Sequence, residues 1–295
     1  MESRKIQMVG NRSYSISLPK RWVLENNLGA QDIVFVHAND SDELVISRSG
    51  ANKKESKEIT VDLEDLADVS EFLVFCYVKN VNKLKIYYKR SYPIKISGLK
   101  NALKYLDGYD ITVEDDSKME ISFLFNDLNI TLPKLLVRMV YLIKLALLFN
   151  TSSSISDIED NEMNIDRLYN LSKRIIFSAV RDPKIRDDNG INFDEDLFFY
   201  KDVFKRLEQI GDSIYRLGTS KLADPDLQTA HKFVDLLEEA LVKKNKLHQF
   251  KEKISSIRIA ARSPGSQDLL GKMQERCFDI FENMRSIEFN KQYFQ

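Results

Sequence analysis

The C-terminal half of this chain is a long run of helix-forming sequence, and this run limits the possible folds more than any other feature. From Leu132 onward, apolar residues recur at the three- and four-residue spacing of amphipathic helices. Short stretches of turn-forming residues, TSSS, DPKIRDDNG, LADPD and SPGS, interrupt the run. Because short connections favour antiparallel neighbours, we predict a helical bundle. The predicted helices span residues 131–150, 155–181, 194–219, 226–246, 247–262 and 266–290.

A pair of acidic residues four positions apart occurs three times within these helices. The pairs are Glu162 and Asp166, Glu208 and Asp212, and Glu275 and Asp279. Residues four apart share one helix face, about 6 Å from each other, so each pair brings two like charges together. A hard cation would offset this repulsion, because carboxylates from adjacent helices can converge on Mg²⁺, Mn²⁺ or iron. The alternative is solvated surface charge, balanced by nearby lysine and arginine side chains.

Two of these pairs lie in segments that resemble the acidic helix motifs of PhoU domains, the regulators of phosphate uptake. The segments are EMNIDRLYNL, which holds the first pair, and KRLEQIGDSI, which holds the second. The resemblance implies tandem three-helix bundles, with residues 131–219 and 226–290 as the two repeats. It also implies a metal site (Mg, Mn, Fe or Zn) at Glu162, Asp166, Glu208 and Asp212. The second repeat departs from the family pattern, because Glu252 is followed four residues later by Ser256. The resemblance therefore implies only a weaker site at Glu275 and Asp279.

The first 50 residues have the pattern of four short strands around a short helix. The predicted strands are RKIQMV, SYSISL, DIVFVHA and ELVISR. The helix begins near Pro19, whose fixed φ suits a first helical turn. Four short strands enclose little core, so we expect a partner chain to complete this unit. The polar stretch GANKKESK, residues 50–57, is predicted to be a linker.

This N-terminal segment is similar to AbrB-type DNA-binding domains. The similarity covers a serine-rich strand, Leu-Pro-Lys, a short helix, a glycine and two further strands, and it is most specific at SISLPKRW, residues 15–22. It implies a dimeric β-barrel in which two chains exchange hairpins, and binding to double-stranded DNA. The fusion of such a domain to a PhoU-like bundle resembles archaeal phosphate-uptake regulators.

Basic residues concentrate early in this domain and form the predicted DNA contacts. These contacts, with one polar neighbour, are Arg4, Lys5, Asn11, Arg12, Lys20 and Arg21. In a dimer the basic side chains would double into a patch that can contact phosphates, and the residues at 11 and 12 could reach base edges. For each residue ordinary solvation is the alternative, and the whole domain can instead serve only dimerisation.

Between these two parts, residues 58–128 mix strand-like and helical segments. The strand-like pieces are EITVDL, KLKIYYK, PIKISG, DITVED and MEISFLF, and the helical pieces are SEFLVFCYVKNV and GLKNALKYL. This mixture predicts a small α/β layer with helices on one face of a sheet, to which no functional residue is assigned. The chain is thus predicted to be a multidomain α+β protein with domains at 1–50, 58–128 and 131–295.

Composition sets the remaining limits. The net charge is −1, so any binding to nucleic acid must come from a local patch. Cys76 and Cys277 lack metal-ligand spacing and are predicted to be buried thiols in a reducing compartment. The charged N-terminus lacks a signal-peptide core, and the most apolar stretch, 132–150, is interrupted by Arg138 and Lys144. We therefore expect a cytoplasmic protein with no membrane insertion.

Two functions follow from these patterns and resemblances. The first is a DNA-binding transcriptional regulator of phosphate uptake, whose bundle senses phosphate status through metal, phosphate or a protein partner. The alternative is an adaptor that does not bind DNA, whose bundle restrains the ATPase of a phosphate transporter. An enzyme is not expected, because no histidine lies near the acidic pairs and neither a nucleophile with a paired base nor a glycine-rich phosphate loop occurs.

Overall fold

A computed structural model describes most of the chain and divides it into two compact units. Unit 1 comprises Met1–Glu55 and unit 2 comprises Ser56–Gln295. The described residues are 3–10, 13–38, 44–47, 57–89, 93–125, 130–152, 155–218, 224–243, 247–259 and 263–294.

Unit 1 consists of two antiparallel strand pairs and one short helix. Its elements are β1 (Gln7–Val9), β2 (Ser13–Ser15), α1 (Lys20–Glu25), β3 (Phe35–Ala38) and β4 (Leu44–Ser47). β1 pairs with β2, and β3 pairs with β4. The predicted order of two strands, a helix and two strands is therefore confirmed. The helix begins directly after Pro19, whose φ is −59°.

Most apolar side chains of unit 1 are exposed. The large exposed ones include Ile6, Met8, Val9, Tyr14, Ile16, Leu24, Ile33, Phe35, Val36 and Leu44. Trp22 is half-buried, and no side chain described in this unit is fully buried. Apolar burial is the main favourable term in folding, so these strand pairs lack the buried surface that a stable domain needs. The predicted exchange of hairpins with a second chain would cover these exposed apolar side chains, and it stays a prediction.

Unit 2 begins with a four-stranded mixed sheet. Its strands are β5 (Lys57–Asp62), β6 (Val81–Tyr87), β7 (Tyr109–Glu114) and β8 (Lys118–Phe123), in the order β5-β6-β8-β7. β5 and β6 run parallel and are joined through α2 (Val69–Val78), whereas β8 is antiparallel to both neighbours. On β6, Leu84 and Ile86 are buried, while the alternating Lys83 and Lys85 form ion pairs with carboxylates. One face of the sheet is therefore covered, as the sequence predicts.

One predicted strand of this sheet layer is wrong. Residues 93–98, PIKISG, form the first turns of helix α3 (Pro93–Leu103). The alternation of Ile94 and Ile96 imitates the period of a strand, but Ile94 is 87% exposed. Ile96 and Leu99, three residues apart, pack against the core, and this is helical spacing.

The rest of unit 2 is helical. The helices are α4 (Leu132–Ser152), α5 (Ile155–Ala179), α6 (Pro183–Asn189), α7 (Asp194–Gly218), α8 (Asp224–Leu237), α9 (Phe250–Ser256) and α10 (Pro264–Tyr293). α4, α5 and α7 pack against one another as a three-helix bundle, and α7 also packs along α10. The predicted helices are confirmed, with three differences. The helix predicted over 226–246 is α-helical to Leu237 and continues as a π-helical segment over Glu238–Val242. α9 is shorter than expected, and the stretch DPKIRDDNG contains the short helix α6.

Capping residues reverse the chain between α5 and α7. Asp182 accepts a hydrogen bond from the backbone N–H of Lys184 at 3.0 Å and starts α6. Gly190 ends α6 with φ 62°, a left-handed conformation that glycine adopts without strain. At the start of α7, Asp196 accepts hydrogen bonds from two preceding backbone N–H groups. This reversal lays α5 and α7 side by side, each with its acidic pair.

Two predictions made from composition concern membrane-spanning segments and the two cysteines. Within the part of the chain that the structure describes, none is long and apolar enough to cross a bilayer. Cys76 on α2 and Cys277 on α10 are buried and free, as predicted. Burial raises the pKa of the Cys76 thiol to about 11, so this thiol stays protonated at neutral pH.

Three polar side chains on one face of α5 fasten this helix to the sheet layer. Arg167 and Asn170 each donate to a backbone carbonyl in the turn that follows α3. Arg174 donates to the carbonyl of Tyr77, in the last turn of α2, at 2.6 Å. The last carbonyls of a helix have no partner within it, so α5 supplies partners at the C-terminal ends of both α2 and α3.

Of these three side chains, Arg174 is buried most deeply between α5 and the sheet layer, with only 2% of its surface exposed. Its guanidinium lies 3.7 Å from the ring centre of Phe123 and donates to the side chain of Asn82 at 3.3 Å. Its Nε has no hydrogen-bond partner, and it forms no ion pair with a described carboxylate. Burial lowers the pKa of Arg174, while the neighbouring Tyr109 and Tyr77 act in the opposite direction. A cation is thus held in the interior by carbonyl groups and aromatic rings.

Replacing Arg174 with alanine should destabilise unit 2. The Arg174→Ala change removes the guanidinium's hydrogen bonds to the Tyr77 carbonyl and the Asn82 side chain and its contacts with three aromatic rings, and it opens a cavity. We therefore expect a loss of about 3 kcal/mol in the free energy of unfolding. Urea denaturation followed by circular dichroism measures this loss. Arg138→Ala removes an exposed arginine from α4 and should cost less than about 1 kcal/mol. Equal losses for the two variants would contradict a structural role for Arg174.

Candidate metal centre

The first two acidic pairs meet between α5 and α7. One oxygen from each of Glu162, Asp166 and Asp212 lies within 4.8 Å of the other two, and all three side chains are half-buried. We call these residues the carboxylate triad. Two oxygens on opposite sides of a divalent ion, each about 2.1–2.4 Å from it, are about 4.2–4.8 Å apart. The carboxylate triad can therefore hold a metal ion with little rearrangement.

Glu208, the fourth predicted ligand, is bound by a lysine instead. Both of its carboxylate oxygens accept hydrogen bonds from Nζ of Lys205, at 2.8 and 2.9 Å. Lys205 lies one turn earlier on α7, so this contact forms within the helix. Glu208 would have to leave the lysine, or share it, in order to join a metal ion. Its charge nevertheless acts on the carboxylate triad.

Burial and mutual repulsion raise the pKa values of these acids. Burial is the largest cause for Asp166, followed by the charges of Glu162, Glu208 and Asp212, and together they raise its pKa to about 7. The pKa of Glu162 is raised by burial and then by Asp212. Burial also raises the pKa of Glu208, against the opposing effect of Lys205. The site therefore takes up protons near neutral pH, and a bound cation would have to displace them.

A glycine beside Asp212 lets α5 and α7 approach closely. A Cβ at Gly211 would lie 2.9 Å from Cδ1 and 3.2 Å from Cγ2 of Ile165, closer than such atoms normally pack. Glycine inside a helix costs about 1 kcal/mol relative to alanine, so its presence here serves the contact rather than the helix. The residues that follow Gly211 and Ile165 are Asp212 and Asp166, which the close approach brings together.

The carboxylate triad offers oxygen ligands and nothing else. No histidine or cysteine belongs to this group, and it is the one cluster of three candidate ligands found among the described residues. Carboxylate oxygens suit Mg²⁺ and Mn²⁺, whereas zinc sites are usually built from nitrogen and sulfur. Of the metals predicted, the donor set thus favours Mg²⁺ or Mn²⁺.

Two tyrosines near the carboxylate triad were not expected from the sequence. Tyr215 and Glu162 line the same narrow pocket between α4, α5 and α7. Tyr105 comes from the turn after α3, and its pKa is raised by burial and then by the charges of Glu162 and Asp166. Tyr215 lies one turn beyond Gly211 and could have been noticed from helical spacing. Tyr105 could not, because no spacing rule connects the sheet layer to α5.

The third acidic pair does not join the carboxylate triad. Glu275 is exposed, and Asp279 forms an ion pair with Arg206 at 2.8 Å. Between them, Arg276 reaches α7 and donates to the backbone carbonyl of Gln209 at 2.7 Å. The arrangement of this pair matches balanced surface charge, the alternative considered above.

The predicted DNA contacts lie in unit 1. Arg4, Lys5, Lys20 and Arg21 are exposed, whereas Asn11 and Arg12 lie outside the described residues. Lys20 and Arg21 form the first turn of α1, and Arg21 pairs with Glu25 at 2.7 Å. The structure thus leaves the basic start of α1 accessible to a partner.

Comparisons with protein-family models, with curated proteins and with solved structures found no match to this chain. The resemblances to PhoU and AbrB-type domains therefore rest on the quoted motifs alone.

The raised pKa of Asp166 predicts that metal-free protein loses stability as the pH rises. The native state keeps the Asp166 proton up to about pH 7, whereas the unfolded chain releases it near its ordinary pKa of about 4. Stability therefore falls between these values, and we expect a loss of about 2 kcal/mol from pH 5 to pH 8. Chelator-treated protein unfolded with urea at each pH gives the measurement. Asp166→Asn should flatten the profile and Asp279→Asn should not; parallel profiles for wild type and Asp166→Asn would refute the assignment.

Mn²⁺ should stabilise the protein through the carboxylate triad. At a hundred times its dissociation constant, a bound ion adds about 2.7 kcal/mol, which corresponds to roughly 5 °C in Tm for a unit of this size. Thermal unfolding at pH 7.5 with and without Mn²⁺ measures the shift. Glu162→Gln with Asp212→Asn should abolish it, whereas the matched pair Glu275→Gln with Asp279→Asn should retain it. The same shift in both double variants would place the ion elsewhere.

Proposed function

We propose that this chain is a cation-responsive, DNA-binding regulator of phosphate uptake that acts as a homodimer. The observation that carries the sensing part is the carboxylate triad, where acids from two helices converge and the pKa values of Glu162 and Asp166 are raised. Such an arrangement costs stability while it is unbound, and a divalent ion relieves the repulsion. The cation is bound in the three-helix bundle of α4, α5 and α7.

The DNA-binding part of the proposal is supported by unit 1. Its exposed basic residues lie next to exposed apolar residues that a second copy would bury. A dimer places two copies of α1 on one assembly, which doubles the number of phosphate contacts. The association with phosphate uptake is supported by the joint resemblance to PhoU and AbrB-type sequences.

Binding to duplex DNA tests this function directly. We expect the intact protein to bind duplexes from phosphate-transporter promoters more tightly than a scrambled duplex, in fluorescence anisotropy at two salt concentrations. Replacing Arg12, Lys20 and Arg21 with glutamine should lower the affinity by about tenfold or more and reduce its salt dependence, because phosphate contacts release counterions. Mn²⁺ should change the affinity of wild type but not that of the Glu162→Gln, Asp212→Asn variant. Sedimentation equilibrium should give twice the mass of one chain.

Each part of the proposal has its own contradicting result. Absence of duplex binding at low salt would remove the DNA-binding function and leave the transporter adaptor as the better explanation. Equal affinity with and without Mn²⁺ would show that the carboxylate triad does not control DNA binding. A monomer in sedimentation would rule out the doubled basic surface.

A further inference from the structure

Three basic side chains meet on the surface of unit 2, close to where the chain enters it. Nζ of Lys57, at the start of β5, donates to the backbone carbonyl of Lys79 at 3.2 Å. Lys79 follows the end of α2, and its ammonium lies 5.4 Å from the ring centre of Phe177 on α5. Arg181 lies one turn beyond Phe177. We call Lys57, Lys79 and Arg181, all of which are exposed, the basic patch.

The basic patch carries charge that no described carboxylate balances. Within the residues that the structure describes, none of its three members forms an ion pair. The pKa of Lys57 is lowered by desolvation and then by the positive charges of Arg181 and Lys79. On the neighbouring strand β6, by contrast, Lys83 and Lys85 each pair with a glutamate, at 2.8 and 2.5 Å.

Two exposed aromatic rings position the ammonium group of Lys79 without neutralising its charge. Phe75 is 52% exposed and Phe177 is 38% exposed. The ammonium of Lys79 lies 5.9 Å from the first ring centre and 5.4 Å from the second. Cation–π attraction at exposed sites contributes about 0.5–1 kcal/mol, enough to favour this placement of the ammonium. The cation still keeps its full charge toward solvent.

Helix dipoles explain only part of this cluster. Lys79 and Arg181 follow the C-terminal ends of α2 and α5, where a positive charge is favourable. Lys57 belongs to a strand, and its bond to the Lys79 carbonyl stabilises the end of α2. That bond uses a carbonyl and no carboxylate, so the repulsion among the three positive charges stays uncompensated. An anion bound beside these side chains would relieve this repulsion.

We propose that the basic patch contacts the phosphate backbone of the same DNA duplex that unit 1 binds. This inference rests on the DNA binding proposed above. Lys57 comes two residues after Glu55, where unit 1 ends, and Lys53 and Lys54 precede it in the sequence. The patch is therefore tethered to the DNA-binding unit, and a tethered second contact forms at a high effective concentration. Contacts to phosphate add affinity but carry no sequence information, so the patch strengthens binding to every duplex alike.

The salt dependence of duplex binding tests this inference. Replacing Lys57, Lys79 and Arg181 with glutamine should lower affinity about tenfold or more at low salt. It should also reduce the slope of log affinity against log salt by about 2–3 for each chain in contact. The loss should be equal for promoter and scrambled duplexes. A variant that keeps all three positive charges (Lys57→Arg, Lys79→Arg and Arg181→Lys) should bind DNA with the affinity and the salt slope of wild type.

A control variant separates contact from net charge. Its exposed lysines Lys201, Lys232 and Lys291 are replaced with glutamine, which changes the net charge by the same amount, and its salt slope should match wild type. An unchanged slope in the patch variant, or an equal loss in the control, would overturn the inference while DNA binding through unit 1 stands. A wild-type protein that binds no duplex would overturn both. Circular dichroism melting of each variant shows that the fold is retained.

Discussion

Arg174 is a positive charge held inside the protein without a partner among the described carboxylates, and the junction between the sheet layer and the helical bundle depends on it. Desolvation of a guanidinium is costly, and here it is offset by a helix-end carbonyl, an asparagine side chain and three aromatic rings. Because α5 carries Arg174 on one face and Glu162 with Asp166 on another, a single rigid helix belongs both to the junction and to the carboxylate triad.

Much of the fold follows from periodicity, and the exceptions have local causes. Long amphipathic segments such as residues 194–219 give unambiguous helices, because their apolar stripes extend over many turns. The short segment 93–98 was misassigned, because two isoleucines in six residues fit a strand and a helix equally well. Residues 183–189 form a helix that turn-rich composition conceals, although Asp182 and Gly190 carry the capping signals at its two ends.

Helical spacing in the sequence predicts those parts of the candidate site that depend on residues sharing one helix face. The spacing of Glu162 with Asp166, and the position of Asp212, indicated a shared face and a facing helix. Glu208 was expected to be an equal ligand, but Lys205 three residues earlier binds it through a contact that the same spacing rule allows. Tyr105 approaches from the sheet layer, and only the tertiary packing of α3 against α5 could reveal it.

Packing, rather than charge, creates the carboxylate triad. The acids repel one another, so electrostatics alone would separate α5 from α7. Burial first, and then this repulsion, raise the pKa of Asp166. Gly211 against Ile165, together with the buried apolar side chains of α4, α5 and α7, holds the helices close in spite of it. A cation would thus enter a site whose geometry already exists. Its binding energy would not be spent on bringing helices together.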